Sequence, residues 1–417
     1  MMSAEENRRL TEVGPDKPMG KLLRRYWFPF AGASEFDEKA TKPVRLLGED
    51  LVAYRDLDGN YGLLDRHCPH RRADLSNGFV EQCGLRCSYH GWLMRHDGAV
   101  IATPYDDTVN PDSPRKHTVK SRAYPVREVA GLLFTYMGPL PAPELPIWGP
   151  FKWTGGFCEI VRSDVPCNWL QCQENTIDPV HFEWAHDNWS QRLAGSREYS
   201  GTHTKLAFEE ADYGHVYRRI REGQEESNEL WTMGRLVLWP MGFFLGEHFE
   251  WHIPVDDENS LNISWFYSRP PKGVGPYEQQ RVPTWESPIK DEKGAWITSH
   301  VINQDIVAWV GQGRIADRTK ENLALSDRGV VMLRRAYTEE MKRVEEGHDP
   351  RWVIRDPALA ECIPLPYVGR TIGGDQMTLE QWKEHPYLKL RLSDHRHCAG
   401  QPRRVREEFA LAMGMDR

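Results

Sequence analysis

Two segments of the chain carry side chains whose types and spacing suit redox-metal chemistry. In DRHCPHRRADLSNGFVEQCGLRCSYHGW, Cys68-x-His70 is followed, after sixteen intervening residues, by Cys87-x-x-His90. Each pair offers one thiolate and one imidazole from a short loop. Two such loops facing each other can hold two irons, Cys68 and Cys87 on one, His70 and His90 on the other. That is the ligation of a Rieske [2Fe–2S] cluster, in which two imidazoles replace two thiolates on one iron and raise its potential. The same four residues fit a structural Cys2His2 zinc site by type. The short spacings, each trailed by a Pro or a Gly-Trp turn, favour the cluster, and Cys83 between them reads as a packed loop thiol.

The second segment, CQENTIDPVHFEWAHDN, contains Asn175, Asp178, His181 and His186. Two histidines and one carboxylate on one face of an iron leave open positions for O2 beside a substrate. A spacing of five puts two side chains about 140° apart on a regular helix, so a distorted helix, of the π-bulge kind, is predicted here. Asp178 followed by Pro179 suits a helix N-cap with proline at the first helical position. Its carboxylate could also accept the free ring N–H of His181 and orient it. The third ligand is sought among Asp305, Asp317 and Asp327. Asp305 lies in the largely apolar run VINQDIVAWVGQG, where an unpaired carboxylate is costly, while Asp317 and Asp327 lie in charged stretches where solvation or capping accounts for them.

CPHR…CSYHGW resembles the Rieske motif of the ring-hydroxylating oxygenase family, and the likeness continues in order down the chain. N-x-x-D-x-x-H-x4-H is similar to the iron signature of that family, and NQDIVAWVGQGRIADRTKENLALSDRGVVMLRR resembles the corresponding block of its phthalate-dioxygenase-like branch. The resemblance implies His181 and His186 as iron ligands, favours Asp305 as the third, and makes Asn175 similar to a polar residue near the iron. It further implies that Asp178 bridges toward His90 of a neighbouring subunit, in a homotrimer or a hexamer of stacked rings. The cofactors so implied are one [2Fe–2S] cluster and one mononuclear Fe(II) per chain, the cluster delivering electrons singly to the site of O2 chemistry. NADH is expected at a separate reductase, directly or through a ferredoxin, since no G-x-G-x-x-G fingerprint follows a strand.

The branch takes aromatic acids and includes O-demethylases of lignin-derived acids such as dehydrodivanillate. Demethylation of a methoxylated aromatic carboxylate is preferred here. Ring dihydroxylation of a phthalate-like acid needs the same iron and differs in which carbon faces it, so it stays open. Arg192, Arg197 and Arg235 could each hold a substrate carboxylate. A Rieske electron carrier without catalysis is the rival reading, but it would need only the first part of the chain.

These residues must be positioned by elements the pattern also outlines. Residues 1–40 read as a helical lead-in, 41–150 as an all-β Rieske domain of short strands, 151–350 as the mononuclear-iron domain, and 351–417 as a wrapping extension. The stretch 138–156 is dense in Pro, Gly and Trp and suits a connector. Beyond it come a helical region near 168–192, several strands, and helices near 295–312 and 327–346, the last with Ser326 as candidate N-cap. Strands and long helices without βαβ alternation argue an α+β class with an antiparallel sheet, and the resemblance implies a helix-grip catalytic domain.

Composition excludes other classes. At 417 residues, 40% apolar or aromatic and 27% charged, the chain is long enough for a large core and too apolar for disorder. A formal net charge of -8 with signs interleaved gives no stripe that would track nucleic-acid phosphates. No stretch suits a membrane span or a signal peptide, and eight scattered cysteines form no disulfide framework, so a cytoplasmic protein is expected.

Overall fold

Local signals set the first 23 residues. Ser3 Oγ accepts the Glu6 amide while the Ser3 amide donates to Glu6, a reciprocal cap that starts the Ala4–Thr11 helix. Pro18, with its fixed φ, opens the short Pro18–Leu23 helix. The computed structural model describes residues 2–366, 374–385 and 388–415.

The helical lead-in ends earlier than expected. Trp27–Gly32 is a buried strand that pairs antiparallel with Leu132–Tyr136, and its run of aromatic residues fits a pleated surface buried on both sides. Leu132–Tyr136 pairs in turn with Val126–Val129, closing a three-stranded sheet. A four-stranded sheet is built on Thr41–Leu46, Glu49–Arg55, Tyr61–Asp65 and Ala123–Tyr124, and a second joins four short strands from Phe79–Glu81 to Val100–Ala102. Side chains alternate across a strand. Leu51, Ala53 and Leu63 therefore enter the main core, while Val52, Tyr54 and Leu64 face a smaller core that also contains Cys68 and Cys87.

The Pro-rich connector is pinned by backbone pairing to a later segment: the Glu144 amide donates to the Ile354 carbonyl, the Ile363 amide to the Ile147 carbonyl, and the Gly149 amide to the Ile363 carbonyl. After it, an eight-stranded sheet forms in the order His203–Ala211, Gly214–Arg221, Arg235–Leu238, Gly242–Phe244, His248–Pro254, Ser260–Ser268, Phe157–Val165 and Thr284–Glu286. Its pairs are antiparallel except Ile160–Arg162 with Thr284–Glu286, which run parallel at the edge. The sheet grips the helices Trp169–Thr176 and Val301–Gly311. The register settles which residues face them. Through the pairs Tyr217↔Arg235, Phe243↔Glu250 and Glu250↔Ser264, one face carries Tyr217, Arg219, Arg235, Glu250 and His252, while Leu236, Phe244, Phe249 and Trp265 lie on the other.

The helix Arg328–Glu345 buries Val330, Leu333, Ala336, Tyr337, Met341 and Val344, a stripe at helical spacing. Its N-cap position is Asp327 rather than Ser326. The Ser326 hydroxyl donates to Asp327, and Asp327 itself accepts the Ala324 amide in a preceding turn, so neither caps the helix with a side-chain oxygen. Beyond residue 351, Cys398, Val405, Phe409 and Met413 pack against Phe157 and Trp285, laying the extension along the sheet.

Candidate metal centres

The two cysteine-histidine loops have the same backbone. The Cys68 amide donates to the Ala73 carbonyl and the Arg72 amide to the Cys68 carbonyl; likewise Cys87 donates to Trp92, and Gly91 to Cys87. The residue four places after each cysteine takes the left-handed conformation, Arg72 at φ 60° and Gly91 at φ 74°. Both thiols are buried and both imidazoles exposed, with the His70 and His90 ring centroids 4.6 Å apart. Trp92 stacks on His70 at 4.7 Å and 4°. Burial, joined by the neighbouring Cys87, pushes the Cys68 thiol up to about 11. Two thiols inside and two imidazoles at the rim can hold a two-iron cluster whose histidine-bound iron faces outward. Cys83 is exposed and off these loops.

The second centre starts from the Trp169–Thr176 helix, whose N-cap Asn168 accepts the Leu170 amide. Asp178 Oδ1 accepts the Val180 amide in the turn that follows, and Phe182–Asn188 is a π-helix. A π-turn closes on the residue five along, which removes the difficulty a regular helix would have with this spacing. The His181 and His186 rings come to 5.2 Å, and Asp305, on Val301–Gly311, reaches between them. Asp305 Oδ1 lies 3.6 Å from His181 Nε2 and 3.3 Å from His186 Nε2, and one donor atom from each residue falls within 4.8 Å of the others. His186 Nε2 and Asp305 Oδ1 are buried with no hydrogen-bond partner among the described residues. Donor atoms around an octahedral ion with bonds of roughly 2.1 Å stand about 3 Å apart, so the orphaned atoms fit one ion. Asp317 caps a surface turn through Thr319 and Asp327 holds Ala324, and neither approaches the histidines.

Both ring tautomers are set from behind. His186 Nδ1 donates to Gln304 Oε1 at 2.9 Å, and Gln304 is itself fixed by its Nε2 donating to the Thr298 carbonyl at 3.0 Å. His181 Nδ1 donates to the backbone carbonyl of Asp178. Each Nε2 thus presents a lone pair to the centre. Burial, with His186 alongside, holds His181 well below the usual histidine range, keeping it neutral. Within the chain, then, the Asp178 carboxylate does not orient His181; its carbonyl does. The carboxylate is pushed up to about 6 by burial, with Asp327 adding to the effect. Asn175 sits in the last turn of its helix and offers its carbonyl to the Asp178 amide, with no side-chain hydrogen bond among the described residues.

Several functional residues were not legible in the sequence. Gln304 is one; its signal is a second polar side chain beside Asp305 in an apolar helix. Glu183 is another: buried, it accepts both the amide and Nδ1 of His203 and ties the π-helix to the strand His203–Ala211. Arg221 pairs with Asp187 from the next strand. Of the three arginines considered, Arg192 caps local carbonyls at the surface and Arg197 is exposed, whereas Arg235 reaches the site. Its guanidinium lies 4.7 Å from the centre of the Phe182 ring, and Arg219 lies 4.6 Å from it.

Two families match: the Rieske [2Fe-2S] domain over residues 26–119, and the "LigXa C-terminal domain like" family over 291–361. The 5,5'-dehydrodivanillate O-demethylase oxygenase subunit of Sphingobium sp. is 55% identical over 406 residues, spanning 97% of this chain and 95% of that protein. The phthalate 4,5-dioxygenase oxygenase subunit of Pseudomonas putida is 30% identical, over 83% of this chain and 88% of its own. Among solved structures, Pseudomonas putida CBB5 NdmA with caffeine superposes with a TM-score of 0.58 at 18% identity, covering 79% of this chain and 94% of that one, a likeness of fold.

Proposed function

Since the chain belongs to the Rieske non-haem iron oxygenases, as an oxygenase alpha subunit of the phthalate-dioxygenase-like branch, we propose that it O-demethylates a methoxylated aromatic carboxylate of the dehydrodivanillate type. Cys68, Cys87, His70 and His90 would hold the [2Fe–2S] cluster, and His181, His186 and Asp305 the mononuclear iron. The observation that carries the reading is the meeting of these last three side chains on one face, with nothing else bonded to the donor atoms His186 Nε2 and Asp305 Oδ1 among the described residues. An electron carrier has no use for that second centre. The relative at 55% identity supports demethylation over ring dihydroxylation.

The overall change balances as methoxyarene, O2, two electrons and two protons giving phenol, formaldehyde and water. Iron held by His181, His186 and Asp305 would supply O2 activation. The chain's own side chains do the rest. Gln304 and the Asp178 carbonyl hold the two imidazoles in their ligating tautomers, and burial of His186 and Asp305 keeps bulk water from them. The electrons would come one at a time from a separate reductase or ferredoxin. Among the described residues no helix is long and apolar enough to cross a membrane.

Turnover of methoxylated and unmethoxylated aromatic acids with a surrogate reductase, assayed for formaldehyde and for cis-diols, tests the reaction type. Formaldehyde in step with phenol is the expected result, and diol without formaldehyde would replace demethylation by dihydroxylation. Iron analysis should give three irons per chain; two would restore the carrier reading.

A further inference from the structure

The gripped face of the sheet holds an uncompensated pair of positive charges beside the iron ligands. Phe182 directly follows His181, and its ring centre lies 4.2 Å from that of His181 and 5.3 Å from that of His186. The guanidiniums of Arg219 and Arg235 both lie against this ring. They come from adjacent strands and the same face, since Tyr217 is opposite Arg235 and Arg219 is two residues further along.

Neither guanidinium is in an ion pair among the described residues. Arg219 is almost fully buried, its Nε has no partner, and its NH1 makes only 3.4 Å contacts with the Pro179 carbonyl and His203 Nε2. Arg235 donates to the Tyr217 hydroxyl at 3.3 Å. The contrast within the same molecule is sharp: buried Arg24 pairs with Glu49, and buried Arg318 and Arg334 both pair with Glu174. Burial, reinforced by Arg235, drags the Arg219 guanidinium down to about 9, a sign of how poorly this charge is compensated. A ring face attracts a cation weakly, and one ring shared by two cations does not offset their mutual repulsion. A planar carboxylate reaching both would, through paired charge-assisted hydrogen bonds.

We propose that Arg219 and Arg235, both against the Phe182 ring, form the receptor for the carboxylate of the substrate. Arg235 is one of the three arginines the sequence offered, and Arg219 is new. The proposal rests on the aromatic-acid reading above and deepens it: the acid group anchors the ring and so decides which methoxy carbon faces the iron ligands. Its absence leaves the two guanidiniums repelling each other, so a neutral analogue forgoes the attraction that an acid gains.

The test is calorimetric titration of anaerobic holoenzyme with dehydrodivanillate and with its bis-carboxamide, for the native chain, Arg219→Gln and Arg235→Gln. Cluster absorption and iron content serve as checks of integrity. Each substitution is expected to weaken the acid by about tenfold or more, as for loss of a charge-assisted pair, and the amide by much less. Arg235→Lys should recover part of the acid affinity. Equal weakening of acid and amide, or no change for the acid, overturns the receptor. If Arg219→Gln does not fold, the less buried Arg235 variants decide alone. A native enzyme that binds the amide better than the acid overturns the aromatic-acid reading itself, whereas native preference for the acid that survives in both variants overturns only the arginine assignment.

Discussion

At the scale of single residues, the mononuclear centre depends on groups that touch no metal. Gln304 bonds the back of the His186 ring and is locked by the Thr298 carbonyl, so its loss frees the imidazole to rotate or change tautomer. Partners of this kind typically hold 10–100-fold in metal affinity. Gln304→Leu should therefore lower Fe(II) affinity by roughly that factor while cluster absorption stays unchanged; competition with a chelator measures it, and unchanged affinity removes the role. A second residue shows its burial through pH. His215, packed by Trp239 and Trp352, is pushed down to about 4, chiefly by burial. A histidine whose folded value lies below its unfolded value, about 6.5, stabilises fully above 6.5 and loses that contribution as pH falls toward 4. The loss amounts to roughly 3 kcal/mol at most. His215→Phe should flatten the fall in melting temperature between pH 7.5 and 4.5, and parallel curves would place the acid sensitivity elsewhere.

At the scale of elements, the π-helix is the device that brings His181 and His186 onto one side, and its neighbours hold it in place. Glu183 and Asp187 anchor it to two strands of the sheet. The turn before it is backed by the Arg328–Glu345 helix at Gly329, where an added Cβ would lie 2.5 Å from the Phe208 ring and 2.9 Å from the Ile177 carbonyl. That glycine is needed for close approach, not for an unusual φ. Gly329→Ala should force the helix outward at a cost of about 1–3 kcal/mol, the usual range for overpacking. A drop of several degrees in melting temperature together with lower iron occupancy is expected. A variant as stable and as iron-loaded as the native chain would show that the contact relaxes freely.

At the scale of the molecule, the cluster loops and the π-helix belong to different sheets, and the exposed His70 and His90 look outward. We propose that a second copy receives them, in a ring of three closed by head-to-tail contacts. Asp178 is suited to the junction because its carboxylate makes no bond to the His181 ring and accepts the Val180 amide. Asp178→Asn keeps the capping oxygen and removes the charge. Both metal sites should stay loaded while reoxidation of the reduced cluster, in single turnover with substrate present, slows severely. Near-native reoxidation would eliminate the bridge, and a fully active monomer in sedimentation would eliminate the ring.

The sequence by itself determined the chemistry and its order along the chain, because ligand types at short fixed spacings are local facts. Cys68-x-His70 and Cys87-x-x-His90 each fit one turn of loop, and the spacing of His181 and His186 foretold a π-distortion, since no regular helix accommodates it. Asp305 was legible because a carboxylate in an apolar helix needs a partner. What only the tertiary structure decided are relations across the fold. The strand register put Arg219 and Arg235 on the same face of the sheet, because facing in or out depends on a pairing parity that composition does not carry, while Arg192 and Arg197 lie off the sheet altogether. Trp27–Gly32 became a strand because its partner, Leu132–Tyr136, lies a hundred residues away. Gln304 acquired its role only when two helices packed and brought its amide to His186. The orientation of His181 fell to the Asp178 carbonyl rather than the carboxylate because the carboxylate turns to the Val180 amide instead, and the path of the backbone is fixed only by folding.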